Sequence, residues 1–178
     1  MKNLLILLTI LLSSLNSDSQ SYFRNNIVLN LDSVELCFDT LYSSYLDSTF
    51  GFKTTRTRKT KYDKLDSVSY CQLNYLKNKN FISHRQTDSK LASVGDRFRF
   101  FYKNQPKKIA EVVCLSNEKI NEKETALFML NEFLNSPKHK EILEDSELIY
   151  FNFKFINKDD DYVLCVGTFS SHRLEDKD

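Results

Sequence analysis

Phe133-Leu134-Asn135-Ser136-Pro137-Lys138-His139-Lys140-Glu141-Ile142-Leu143 contains one helix end, one helix start and a histidine among charged neighbours. Asn135 ends the apolar spacing that precedes it. Ser136 is a residue type that caps helices. Pro137 suits the first helical position, where its missing N–H has no intrahelical partner to lose. The order predicts two helices in immediate succession, with Ile142 and Leu143 anchoring the second, short one.

Upstream, Asn121 and Glu124 are spaced as a capping box, opening a helix with Ala126, Leu127, Leu130, Phe133 and Leu134 turned inward. Downstream, Ile149, Phe151, Phe153 and Phe155 alternate with Asn152 and Lys154, the pattern of a half-buried strand. The polar run 157–161 suits a connection. Residues 162–169 form its partner strand, with Val163, Cys165, Gly167 and Phe169 on one face. Residues 109–115 are a further strand, compact and rich in β-branched side chains.

Earlier in the chain, Val34, Phe38, Leu41 and Tyr45 recur at helical spacing over residues 30–45, and Asp32 with Glu35 offers a capping box. Gly51 breaks that pattern. The basic and Thr-rich run 53–61 reads as a solvated linker, because no aromatic is interleaved in it. A second helix covers 64–77, with Leu65, Val68, Cys71, Gln72, Tyr75 and Leu76 inward. Gly95-Asp96 reads as a turn and 97–102 as a short extended segment. Helices followed by a terminal antiparallel pair imply an α+β or a three-layer αβα domain.

Composition bounds this picture. The chain has 178 residues, enough for one ordinary domain, and 41% are hydrophobic, so a packed core is expected. Fourteen Phe and nine Tyr against three Gly point to a core of large rings. Basic and acidic residues number 25 and 24, a balance that gives no reason to expect a nucleic-acid partner.

The N-terminus differs in kind. Lys2 gives a positive start, residues 4–12 are almost wholly apolar, and 13–20 are small and polar. That order predicts a signal peptide over residues 1–19, cut after Ser17 or Ser19. No Cys lies near the cut to carry a lipid, and no second apolar run would anchor the mature chain in a membrane. The expected location is secreted, extracellular or periplasmic. There Cys37, Cys71, Cys114 and Cys165 are candidates for disulfides, in any of three connectivities.

These elements and four motifs resemble the CAP superfamily (cysteine-rich secretory protein, antigen 5, pathogenesis-related; SCP-like), in its shorter bacterial-type form. The segment 133–143 is similar to the family's W-x-x-S-P-G-H-R-x-x-L/I-L run, with Phe133 for Trp and Lys138 for Gly. Phe81-Ile82-Ser83-His84 resembles its F-S-H segment. Ile109-Ala110-Glu111-Val112-Val113 resembles its A/G-E-N-I segment, and Val166-Gly167-Thr168-Phe169 its closing strand. The resemblance implies a CAP-like three-layer αβα sandwich over residues 30–170, with a small antiparallel sheet, a terminal hairpin and a polar tail at 171–178.

It also implies a cleft containing His84, Glu111, Ser136 and His139. Of these, His84, Glu111 and His139 are the candidate ligands of a weakly held divalent metal, since imidazole and carboxylate are a known zinc set. Larger relatives supply a second cleft Glu where Ser136 stands here; Glu132 and Glu141 are merely near in sequence. Ser136 suits capping better than nucleophilic attack, which would need a base within hydrogen-bond reach. His172 falls outside the site. The first expectation is an exported binding or interaction module, whose cleft takes a small apolar or peptide ligand or meets an extracellular protein. The alternative is a metal-assisted hydrolase or peptidase using the same cleft.

Overall fold

Four side chains four residues apart, Val34, Phe38, Tyr42 and Leu46, are the buried stripe of helix α1, Leu31–Phe50. The computed structural model describes residues 27–50 and 59–177; the leader at 1–19 and Gly51 lie outside these residues. The start of α1 differs from the Asp32–Glu35 box expected for it. Asn30 Oδ1 accepts from Ser33 N–H at 3.1 Å, and Glu35 instead reaches Lys61 at 2.7 Å and Lys154 at 3.0 Å.

The end of the basic run is structured rather than solvated linker. Thr60–Lys61 forms strand β1, parallel to a later strand at the sheet edge. Lys59 Nζ donates to the carbonyls of Asp145 and Leu148, both at 2.6 Å. A short 3-10 turn, Asp63–Leu65, leads into α2, Asp66–Lys77. Its buried stripe is Val68, Ser69, Gln72, Leu73 and Leu76, while Cys71 and Tyr75 are half-buried.

Residues 94–101 depart most from expectation. They are a helix, α3, Val94–Phe101, and not a turn followed by an extended segment. Ser93 Oγ accepts from Asp96 N–H at 3.2 Å, and Asp96 Oδ2 accepts from Ser93 N–H at 2.9 Å. This reciprocal cap satisfies two backbone donors and starts the helix across Gly95.

Strand β2 (Ile109–Ser116), helices α4 (Glu122–Asn135) and α5 (Pro137–Glu144), and strands β3 (Tyr150–Asn157) and β4 (Val163–Ser170) complete the chain. Asn121 caps α4 by accepting from Glu124 N–H at 2.9 Å. Pro137 opens α5 as expected, but Ser136 makes no side-chain cap. Leu127, expected inward, is exposed; Thr125 and Met129 occupy the core face instead.

The sheet order is β1-β3-β4-β2, antiparallel except for β1. Phe151, Phe153, Phe155, Val163, Cys165 and Phe169 face α1 and α4, against Phe38, Tyr42, Met129 and Phe133. Val113, Leu164 and Val166 face the other way, against Leu73 and Leu76 of α2. A third cluster joins Leu65, Val68, Phe98 and Tyr102 with Leu174, so the segment after Ser170 contributes one core side chain. Helices on both faces of a small open sheet make an α+β sandwich of three αβα layers.

All four cysteines are free thiols. Cys114 and Cys165 are register partners, yet Ser171 N–H donating to Lys108 O at 3.0 Å sets the ladder's alternation. By that alternation the pair occupies a hydrogen-bonded position, where Cβ atoms lie about 5.5 Å apart against the roughly 3.5–4.5 Å of a disulfide. Cys37 packs in the α1 layer, while Cys71 belongs to α2 on the opposite face of the sheet.

Candidate functional site

The loop after α2 carries His84, and α2 itself holds that loop in place. Gln72, buried in α2, donates to the carbonyl of Ser83. Gln86 donates to Gln72 Oε1 at 3.0 Å and to the Cys71 carbonyl at 3.2 Å. Ser83 Oγ accepts from Arg85 N–H at 2.9 Å. The backbone of an irregular segment is thus satisfied on both sides of His84.

His84 Nδ1 stands 3.1 Å from Glu111 Oε1. The imidazole side chain is 51% exposed, whereas that of Glu111 is 2% exposed. Glu111 is on β2, and the three-layer arrangement puts it beneath the loop. Its second oxygen accepts a charge-assisted bond from Arg97 of α3, whose side chain is wholly buried. Arg97 Nη1 also donates to the Leu91 carbonyl at 3.0 Å, and Nε has no partner among the described residues.

His139 approaches from α5. Its ring meets that of His84 edge-on, with centroids 6.2 Å apart, and the Phe133 ring edge-on at 5.4 Å. Partial burial lowers its pKa below the usual value, and the neighbouring His84 adds to the same direction. The Phe133-x-x-Ser136-Pro137 junction sets this geometry, because the break between α4 and α5 returns His139 over the end of α4.

Of the four cleft residues expected, the structure brings His84 and Glu111 into hydrogen-bond distance and His139 into ring contact with His84. Ser136 is half-buried at the α4–α5 junction; its hydroxyl has no hydrogen-bonded base among the described residues. Neither Glu132 nor Glu141 supplies the second carboxylate: both are exposed, and Glu132 adds to the burial that pushes the Cys114 thiol up to about 12.

The donor set does not fit a divalent metal. Among the described residues, no three His, Cys, Asp or Glu side chains gather as a set able to hold one. Both oxygens of Glu111 are already engaged, one by a permanent cation, and zinc needs three protein ligands facing a single centre. Arg97 is the residue that sequence reasoning missed. The available signal was the Ser93–Asp96 spacing, which starts a helix and turns Arg97 inward with Phe98.

No family model matches the chain, and no curated protein matches it. Among solved structures it is similar to an outer surface protein from Borrelia burgdorferi, with a TM-score of 0.58 and 18% identity. The match covers 80% of this chain and 95% of that one. The likeness is one of fold, an α+β sandwich of three αβα layers. No helix among the described residues is long and apolar enough to cross a membrane.

Proposed function

We propose that this protein is an exported binding or interaction module of the CAP type, and that the surface around His84 and His139 receives its ligand. The observation that carries this reading is the double engagement of Glu111. A carboxylate bonded to a buried guanidinium and to an imidazole is neither a free general base nor an open metal ligand. Metal-assisted hydrolysis at this place loses its main participant.

The surroundings support recognition. Phe81 and Ile82, on the same loop as His84, are exposed large apolar side chains. Apolar side chains flanking a few fixed polar groups suit a small apolar or peptide ligand. The likeness in fold to a protein named for the outer surface agrees with the leader-like residues 1–19, so export and an extracellular or periplasmic location are part of the proposal.

Apolar peptides titrated into the isotope-labelled protein test it. Saturable shifts of the His84 and His139 resonances are expected, weakened roughly tenfold or more by Phe81→Ala, equivalent to about 1.4 kcal/mol. The same peptides should remain intact by mass spectrometry. Cleavage that disappears in His84→Ala would reinstate the hydrolase.

A further inference from the structure

Arg97 is a permanent cation with a fully buried side chain, a placement that is costly unless the charge is paired and hydrogen-bonded. The pairing is present. One arm of the guanidinium meets Glu111 Oε2, and the other meets the Leu91 carbonyl at 3.0 Å. Beyond Glu111 comes His84, half in solvent. Guanidinium, carboxylate and imidazole form a line from the interior to the surface.

We propose that Arg97 is a positioning residue, a built-in cation that serves Glu111 in place of a divalent metal and thereby fixes the tautomer of His84. A guanidinium only donates, so Glu111 meets it as an acceptor and presents a second acceptor oxygen to His84. The hydrogen between Glu111 Oε1 and His84 Nδ1 therefore resides on Nδ1. A neutral imidazole has one N–H, which leaves Nε2 with its lone pair. Among the described residues Nε2 has no protein partner, and the edge-on ring of His139 restricts the swing of the imidazole. The site presents a fixed acceptor whose complement is an N–H or O–H donor, a peptide amide being one such group; this last clause rests on the binding reading above. A divalent ion drawn to Glu111 would meet the positive charge of Arg97 directly behind the carboxylate.

Imidazole nitrogen shifts of the nitrogen-15-labelled wild-type chain at alkaline pH, with and without zinc, test the proposal. Expected are a protonated Nδ1 and an unprotonated Nε2 for His84, unchanged by zinc at roughly ten micromolar. Arg97→Gln should mix the two tautomers and raise zinc affinity about tenfold or more, while Arg97→Lys, a point charge without the guanidinium fork, should restore the wild-type pattern only in part. An Nε2–H tautomer in the wild type, or His84 shifts saturating with micromolar zinc, overturns the proposal. Those two readings need no variant, so they decide the matter even if Arg97→Gln fails to fold. They also stand apart from peptide binding: a fixed tautomer without any peptide shift sinks the binding reading and leaves this one standing.

Discussion

A Cβ placed on Gly167 would lie 2.7 Å from Phe153 Cδ1 and 2.8 Å from Val112 Cγ2, nearer than carbon atoms tolerate. Residue 167 sits between these two in the sheet, opposite both. The missing side chain is the space in which the Phe153 ring lies, 4.4 Å from Phe38 and 5.6 Å from Phe169 between centroids. Phe153 and Val112 are fully buried and have nowhere to retreat. Gly167→Ala should destabilise the fold by about 1–3 kcal/mol, read from the urea midpoint, and an unchanged midpoint would show that the ring yields. His139 makes a second case at this scale. Its lowered pKa means that the unfolded chain takes up the proton near 6.5 and the folded chain only at lower pH. Below 6.5 the unfolded state therefore binds more protons, and stability falls as pH falls. Wild type should lose more stability than His139→Gln between about pH 7 and pH 5.5. Equal losses would mean that burial does not disfavour the charged ring.

Helix α3 shows how one element can decide a site. Its reciprocal cap between Ser93 and Asp96 sets the helical register that turns Arg97 onto Glu111. Ser93→Ala should cost about 1 kcal/mol of stability by the usual worth of such a cap, and amide exchange should quicken in α3 before it does in β2. Uniform exchange in the two elements would show that tertiary packing alone holds the helix. This is also the element least legible in the sequence. Phe98, Phe100 and Tyr102 alternate with period two, and Gly95 imitates a turn, so the local pattern argues for a strand against the cap. The terminal hairpin is legible because alternating rings and a polar connection point to one structure. Helices α1, α2 and α4 are legible from their apolar spacing, less so in which residues turn inward: Leu73 and Met129 are buried outside the expected stripes, and Leu127 fits its stripe yet stays exposed. The approach of His84 to Glu111 spans 27 residues of chain. Nothing in local spacing enforces such a meeting; only the family pattern suggests it. Arg97 has no such pattern and becomes visible only with the helix that carries it.

The two helical layers pack on opposite faces of the same strands, most completely at β4. Every residue of β4 is buried, Val163, Cys165 and Phe169 against the α1–α4 side, Leu164 and Val166 against α2. Neither layer can leave without exposing half of that strand, so the molecule should unfold as one unit. Phe153 belongs to the first layer and Leu73 to the second. Phe153→Ala should cost about 3–5 kcal/mol and Leu73→Ala about 2–5 kcal/mol, each lowering the urea midpoint with an unchanged slope. Because the two side chains lie on opposite faces and belong to different clusters, the double variant should add within about 0.5 kcal/mol. The chain has no Trp, so tyrosine fluorescence reports tertiary structure, with Tyr42 in one layer and Tyr102 in the other. Its transition should coincide with the loss of helical circular dichroism in all four proteins. Two separated transitions in the Leu73→Ala chain, with Tyr42 still packed after the first, would mean that β4 remains folded with one layer alone, and the sandwich would be two cooperative units instead of one.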